Sequence, residues 1–505
     1  MANTFPIIQL HINNEIVEFR DKAVIEAETI QEVHPVGIEL PSSTARIRVW
    51  LDDTIVDDQG RTIRDKFSPF SDGIYYQSMT TGLIVDIRES MNGVEHMVGR
   101  FYLQEWRNPK QGKLELVCVD AIGTLGNKTY LGNFYELPTS VSTIVADIMK
   151  SVDVGYEIAP AVASKQLKGY LPGNKTLRES LQLVLFSCGA YAVTAGSDKI
   201  CIKQGIIPLA KVVETISYYD SASAKYDTSN VLYSDQIVDI FISDDEKTDS
   251  QELTIQQLVT AVQITSHDYT KSEVEENIFS ALLNPGDYLV VYPKPYHWVS
   301  ASGIGDVITY LGTANGEVLI SPDSGTYPEV IIYTVYGEFE FGVNYVYLHV
   351  PAADPMPEVK VVGKPWLDGT QVFEWINPDG VRNYNEGFAY DASNAIYDLS
   401  TYSRDWSVYA PPNVWKIDNA TLLPFIRTGN EETVNLALAR IAEYAKLRYQ
   451  QNSKLFPRSD VKPGNLAVID SLYGKDIVGV VERLVSNLSG GYLIDAELVG
   501  VERTM

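Results

Sequence analysis

Alternation of apolar and polar residues with a period of two dominates the first 135 positions. ARIRVW (45–50) puts Ala45, Ile47 and Val49 on one face and Arg46 and Arg48 on the other, as a half-buried strand requires. LIVDI (83–87), VGRFYLQEW (98–106) and KLELVCV (113–119) continue the series. The turn RNPKQG between the last two carries Pro109 and Gly112, which break a strand ladder as a hairpin needs. DDTIVDDQG (52–60) reads as an acidic loop.

After Tyr135 the period lengthens. LPTSVSTIVADIMKSV aligns Val141, Ile144, Val145, Ile148, Met149 and Val152 along one helical stripe, with Thr139 or Ser140 placed to cap its first amides. A second helix begins at Thr176, which forms a capping box with Glu179; it presents Leu177, Leu181, Val184 and Leu185 to a core and stops at Gly189. AYAVTAGSDKICIKQ (190–204) then reads as a hairpin about Gly196–Ser197. Residues 136–210 therefore form a small α/β module.

From about 210 to 420 short strands return, separated by Gly, Pro and Asp turns: IVDIFIS, LVTAVQITS, DYLVVYPKP, EVLISP, EVIIYTVY and VNYVYLHV. That spacing suggests a β-sandwich. DDEKTD (244–249) reads as a solvated loop, and the three prolines of PAADPMPEV (351–359) as a linker. A third helix is predicted from Asn430 to about Gln451, with Val434, Leu438, Ile441 and Ala445 facing a barrel. Glu431 and Glu432 at its start and Arg440, Lys446 and Arg448 further on complement its dipole. VKPGNLAVID, YGKDIVGVVERLVSN and GGYLIDAELVGVE close the chain as a β-meander.

Composition narrows the class. At 505 residues the chain is too long for one ordinary core. Its 31 tyrosines and 59 Gly plus Pro residues favour short strands and tight turns, so the fold class is mainly β (α+β). The opening MANTFPIIQLHINNE lacks the basic and apolar regions of a signal peptide, and no stretch is apolar enough for a membrane helix. Cys118, Cys188 and Cys201 are odd in number with no CxxC spacing, which suits reduced core thiols. A net charge of −26 disfavours direct nucleic-acid binding.

The chemistry-bearing residues assemble no catalytic, cofactor or metal signature. His11, His34, His96, His267, His297 and His349 share no short motif. There is no GxSxG elbow and no Walker A sequence, and SGIGDVI has Ile308 where a dinucleotide loop needs a third glycine. Asp52, Asp53, Asp57 and Asp58 read as surface acids of a hairpin or, off the EF-hand spacing, as calcium ligands. Tyr292, Tyr296, His297 and Trp298 read as sandwich packing or as an aromatic sugar platform. Catalytic, cofactor-binding and metal residues are therefore expected to be none.

Several segments carry a family likeness. The C-terminal succession IDNATLL, a helix rich in Ala, Arg and Tyr, DVKPGNLAVID, IVGVVE and LSGGYLIDAELVG resembles the end of the phage tail hub family. VTAVQITSHDY, NPGDYLVVYPKPYHWVSASG and YVYLHV resemble a β-sandwich carried within hubs of phages of Gram-positive bacteria. GRFYLQEW…KLELVCVDAIGTL resembles the first tube-like barrel of such hubs, and GYLP with GNKTLRESLQLVLFSCGAYAV the module that follows it.

The resemblance implies two tube-like β-barrel domains with a small α/β module and an inserted β-sandwich. The boundaries would be 1–135 for the N-terminal barrel and 136–210 for the module. Strands joining the second barrel would occupy 211–255, the sandwich 256–352, a linker and irregular β region 353–425, and the helix and meander of the second barrel 426–505. VGRFYLQEWRNPKQGKLELVCV and VGVVERLVSNLSGGYLIDAELV are alike, Gly99 matching Gly479 and, after one gap, Leu114 matching Leu493. This is a repeat of one barrel, or the agreement any two hairpins show.

The implied role is a structural virion protein, a baseplate hub that caps the tail tube with a channel for genome passage, and not an enzyme. Its partners would be itself as a homotrimer, a tail tube or distal tail protein, a tape measure protein, and tip, spike or fibre proteins. DNA would be met only in transit, and no membrane. The acidic charge would serve a lumen, or simply solubility. It would act in the virion tail, assembled in the host cytoplasm. A tail-tip adhesin binding cell-wall glycan and a tail-associated lysin are the alternative classes.

Overall fold

A computed structural model describes residues 4–70, 72–108, 112–173, 175–206, 238–274, 276–282, 284, 286–291, 308–313, 316–320, 338–341, 345–350, 358–363, 365–377, 413–417, 431–470, 474–489 and 493–503. The chain is mainly β. Its first seven strands are β1 (Thr4–Ile12), β2 (Glu15–Arg20), β3 (Val24–Glu32), β4 (Thr44–Trp50), β5 (Ile84–Met91), β6 (Val94–Arg107) and β7 (Lys113–Asp120). They pair in the order β3-β4-β7-β6-β5-β1-β2. Two hairpins turn through residues that accept positive φ: Asn13 and Asn14 at 52° and 64°, and Asn92 and Gly93 at 53° and 83°. Such primed turns match the twist of the flanking strands. One 3-10 turn, Asp21–Ala23, joins the two ends of this order, so the sheet closes into a barrel with β1 lying against β3. Ile8, Leu10, Ile47, Val85, Ile87 and Leu116 fill it.

The polar half of the ARIRVW alternation has a use. Arg48 bonds Glu26 on β3 (3.0 Å) and Glu115 on β7, and Glu115 also takes Arg107 of β6 (2.5 Å). A ladder of charges thus crosses four strands. LIVDI, for which an exposed edge would be a liability, lies between β1 and β6 and is not an edge.

The module after β7 opens with α1 (Ala121–Leu125), β8 (Thr129–Tyr130), β9 (Asn133–Ser140), α2 (Val141–Met149) and β10 (Tyr156–Ile158). It continues with α3 (Pro160–Ala163), β11 (Gln166–Leu171), β12 (Lys175–Thr176), α4 (Leu177–Cys188), β13 (Ala190–Val193) and β14 (Ile200–Gln204). Ser140 caps α2, and Thr176 and Glu179 close the capping box of α4. Gly189 ends α4 at φ +67°, the left-handed conformation that favours glycine, and the Arg440 guanidinium lies against it. Buried Asp120 ties module to barrel: it caps α1 through the Gly123 N–H and accepts the Thr194 hydroxyl at 2.7 Å.

Residues 207–237 lie outside the described set. The next strands are β15 (Ile240–Ile242), β16 (Lys247–Ile255), β17 (Ala261–Lys271), β18 (Glu276–Leu282), β19 (Gly286–Val291) and β20 (Ile308–Thr313). They are followed by β21 (Gly316–Ile320), β22 (Glu338–Phe341), β23 (Tyr345–Val350), β24 (Glu358–Gly363), β25 (Trp366–Ile376) and β26 (Val414–Ile417), then by α5 (Glu431–Ala445). Strands β17 to β26 form three sheets, β25-β17-β26, β18-β24-β20-β21 and β19-β23-β22.

Three expectations change here. DDEKTD is not a solvated loop: it forms a 3-10 turn and the start of β16, and the Lys247 side chain is buried against Asp244. Within the stretch read as linker and irregular structure, β24 pairs with β18 and β20, and β25 pairs along the whole of β17. The proline run drew attention from the alternation in EVKVVG and QVFEWI that these ladders use. The third helix ends at Ala445, because Tyr449 already pairs with Ile255 and Gly500, which leaves Arg448 outside the helix.

The chain ends with β27 (Tyr449–Leu455), β28 (Leu466–Asp470), β29 (Asp476–Asn487) and β30 (Leu493–Glu502). LAVID is β28, an interior strand between β15 and β29. The order β16-β27-β30-β29-β28 repeats β3-β4-β7-β6-β5, and the 3-10 turn Asp244–Glu246 leads from β15 into β16 as Asp21–Ala23 leads from β2 into β3. Gly99 lies opposite Ile87, and Gly479 opposite Ala467. β6 is irregular between Leu103 and Glu105 and β29 between Val481 and Arg483, so the two strands share a bulge but are not matched residue for residue. The last pairing differs, since β1 runs antiparallel to β5 but β15 parallel to β28. The segment between β16 and β27, holding β17 to β26 and α5, occupies the position of the short β3–β4 connection.

The apolar stripe of α5 packs on neither barrel. Leu438, Ile441, Ala437 and Ala445 pack on Val262 and Ile264 of β17, Ile417 of β26 and Phe186 of α4. Leu438, Ile441 and Ala445 are buried as expected, while the Val434 side chain lies outside the described set, and the partner of the stripe is the inserted sheet. Leu438→Asp would place an unpaired carboxylate in that seam and should lower unfolding free energy by roughly 3–5 kcal/mol. Chemical denaturation checks this; an unchanged midpoint would remove α5 from the core.

Candidate functional site

The two barrels are joined by hydrogen bonds, and the join is the most specific feature of the molecule. Strand β29 pairs with β28 up to Val480, bulges at Glu482, and then pairs with β3, Arg483–Asn487 running opposite Glu32–Glu28. A bulge bends its strand and lets it change partner. The result is one 13-stranded sheet, and one hydrophobic cluster runs through both barrels, from Ile8 and Ile47 to Ile469 and Leu498. Arg483 Nε bonds Glu32 across the seam at 2.8 Å, Val33 N–H donates to the Glu482 carbonyl, and Leu488 N–H to that of Ala27. Thr29, Gln31 and Ser486 are buried within it, and the Gln31 amide donates to the Val98 carbonyl.

Side chains around the bulge lock α5 to the seam. The Tyr444 hydroxyl donates to Glu482 at 2.8 Å. Its ring lies 5.0 Å from His34 and 6.0 Å from Trp415. Burial pushes the Glu482 carboxyl up to about 7; the Tyr444 hydrogen bond lowers it and the nearby Glu497 adds to the rise. Burial also pushes His34 down to about 4, so its imidazole is neutral. One turn earlier, Arg440 donates to the Phe186 carbonyl at 2.6 Å and lies 5.7 Å from that ring. Lys165 donates to the Cys188 carbonyl at 2.6 Å. Two cations therefore satisfy the carboxyl end of α4.

A second cleft, of about 140 Å³, lies between the module and the inserted sheet. Phe134, Tyr269 and Trp366 give it aromatic walls, and Glu136, Lys168 and His267 its polar groups. His267 is 3% exposed, and its Nδ1 is held by Asp368 at 2.9 Å. Among the described residues neither a serine nor a cysteine lines the cleft. The geometry of the His267–Asp368 pair suits clamping β17 to β25.

The other residues singled out by sequence are scattered. His11 contacts Asp86 at 3.0 Å. Burial alone would raise Asp86, yet the bonds from Arg100 and His11 hold it below the ordinary carboxylate range. His96 lies on β6 and His349 on β23, in different sheets. Asp57 is held well below the carboxylate range by the Arg61 N–H and by Lys66, Asp53 pairs with Arg64, and Asp52 accepts from Thr54. The acidic loop is thus a self-paired turn. Cys118 and Cys188 are buried thiols and Cys201 is half-buried, all unpaired. Tyr292, Tyr296, His297 and Trp298 lie outside the described residues. Among the described residues no cluster of His, Cys, Asp or Glu could hold a metal, and no helix is long and apolar enough to cross a membrane. Sequence reasoning missed Glu482, Tyr444, His34 and Arg440. A lone acid in the apolar run IVGVVERLV was the available signal for the first.

No family model and no curated protein matches the chain. Among solved structures it is similar to a tail protein from Neisseria meningitidis MC58, at 10% identity and TM-score 0.44, over 98% of this chain and 96% of that one. It is similar to the 43 kDa tail protein of prophage MuSo2 from Shewanella oneidensis, at 8% identity and TM-score 0.45, over 98% of each chain. The prophage tail protein gp18 from Listeria monocytogenes EGD-e matches at 8% identity and TM-score 0.42, over 99% of this chain and 95% of that one. Superpositions this loose carry no functional argument.

The raised Glu482 sets a pH dependence. Between the ordinary value of 4.5 and about 7, the folded chain keeps a proton that the unfolded chain has lost, so stability falls as pH rises through that window and is level above it. Glu482→Gln, which cannot ionise, should match the parent near pH 4.5 and exceed it by roughly 3 kcal/mol at pH 8. Urea unfolding of both proteins at the two pH values measures this; equal gaps at both would mean that Glu482 ionises freely.

Proposed function

We propose that this chain is a structural protein of a phage-type tail, a hub whose barrels continue the tail tube. The single observation that carries the reading is the duplicated barrel, with its two copies joined edge to edge by unlike strands, β29 to β3. A join of unlike surfaces repeats around a closed ring or runs on as a filament. Three copies would present six barrels, the number that meets a sixfold tube, and the segment likenesses to tail hubs agree with that role.

In this reading the homotrimer contacts a tail tube or distal tail protein on one side and tip, spike or fibre proteins on the other, with a tape measure protein and then DNA passing through. The net charge of −26 suits a wall that DNA must pass without adhering, because each phosphate contact avoided removes a salt-dependent attraction. The unpaired thiols fit assembly in a reducing host cytoplasm before the protein takes its place in the virion.

Cryo-microscopy of a tail tip containing the protein should show three copies around the axis. One copy, or six equivalent copies, would end the hub reading. The purified protein should also release nothing from bacterial cell walls, and a zymogram band at its mass that persists through repurification would make it a lysin.

A further inference from the structure

Four strands bring side chains to the cleft between the module and the inserted sheet: Phe134 and Glu136 from β9, Lys168 from β11, His267 and Tyr269 from β17, and Trp366 from β25. Phe134 with Glu136, and His267 with Tyr269, stand two positions apart, so each pair shares one face of its strand. Lys168 sits at the irregularity between Leu167 and Gly169, where β11 slips against β9, and such a slip re-aims a side chain. The aromatic walls support one another, with ring centroids 4.4 Å apart for Phe134 and Trp366 and 5.9 Å for Phe134 and Tyr269. Tyr170 backs Tyr269 edge-on at 5.8 Å. Within these walls His267 has one unmet atom. Its Nδ1 meets Asp368, whose carboxylate can only accept, so Nδ1 carries the proton. That leaves Nε2 of the neutral ring as a bare acceptor, buried and with no hydrogen-bond partner among the described residues. A buried polar atom left unmet is costly, so a donor belongs there.

We infer that the cleft binds one neutral sugar ring, with a hydroxyl donating to His267 Nε2. Glu136 supplies a further acceptor and Lys168 a donor in the same lining. Their opposite charges select against ions, since an anion would meet Glu136 and a cation Lys168. A purely apolar ligand would leave Nε2 unmet. What remains is a neutral molecule with hydroxyls at its rim and C–H groups on its faces, which the rings of Trp366, Tyr269 and Phe134 cover. The space of about 140 Å³ suits a single six-membered ring and not a run of them, so recognition falls on one terminal or branching unit of a glycan. The tail role proposed above neither requires this ligand nor excludes it.

The test adds methyl glucoside, methyl galactoside and N-acetylglucosamine in turn to the full-length chain carrying isotope-labelled histidine. Saturation-transfer NMR reads the bound sugar, and imidazole nitrogen NMR reads the His267 Nε2 resonance, assigned through its change in both His267→Gln and Asp368→Asn. The expected result is that at least one sugar saturates the chain at about millimolar concentration and moves Nε2 towards the position of a hydrogen-bonded nitrogen. Glu136→Ala, at an exposed side chain, should weaken that binding roughly tenfold through the loss of one charge-assisted hydrogen bond. No saturation by any of the three sugars overturns the inference. Binding that spares Nε2 and survives Glu136→Ala places the sugar elsewhere and overturns it as well. Acetate and methylammonium at the same concentration should leave Nε2 unmoved. A shift with either ion and none with a sugar would make the cleft an ion site and sink the sugar assignment.

Discussion

One strand serving two barrels is the constraint on which the remainder of the architecture depends. β29 builds the second barrel with its first half and docks the first barrel with its second, and the bulge at Glu482 is what permits the change of partner. Because the transition is hydrogen-bonded throughout, the barrels share a sheet and a core instead of touching through side chains alone. Neither can rotate against the other without breaking backbone bonds, each of which contributes about 1 kcal/mol net and costs more if left buried and unmade. The close approach of Gly479 and Gly500 belongs to the same design, since a Cβ on Gly500 would lie 2.1 Å from the Val478 carbonyl oxygen.

The small module and the inserted segment are attached to this frame by polar groups placed at element ends. Asp120 joins barrel to module, Arg440 reaches from α5 to the last carbonyls of α4, and Tyr444 reaches from α5 to the bulge. Helix α5 therefore touches three units at once, although its apolar face belongs to the inserted sheet. Buried charges in such positions are tolerated because backbone carbonyls or hydroxyls meet them, and a buried ion with no partner would be far costlier.

Strand periodicity and helix caps were legible where the pattern was strong. The 45–50 alternation, the Ser140 cap, the Thr176–Glu179 box and the Gly189 stop all appear as the residues imply. The two Val-Gly hairpins fall on β6–β7 and β29–β30, which hold the same place in the two strand orders. What stayed hidden was non-local. Nothing in the local sequence around Val485 announces Ile30 as its partner, and the stripe of Leu438 and Ile441 shows that α5 is buried without saying against what. The proline run at 351–357 marked a boundary, and its weight obscured two strands just beyond it. As for the candidate site, the absence of catalytic motifs could be read directly, whereas a seam of backbone bonds has no motif to find.

The location of the inserted segment has a geometric consequence. In the first barrel the third and fourth strands are linked by the short stretch Val33–Ser43, while the same corner of the second opens to admit residues 256–448. Loop closure costs grow only logarithmically with length, about 0.6 kcal/mol for each doubling, so a folded unit can be spliced into that corner with little penalty to the barrel itself. Bulk is therefore carried by the second barrel of the chain and not by the first. Any circle built from such pairs would be alternately bare and ornamented at its rim. In the proposed ring, six barrels would carry only three inserted units, with no change to the strands that hold them together.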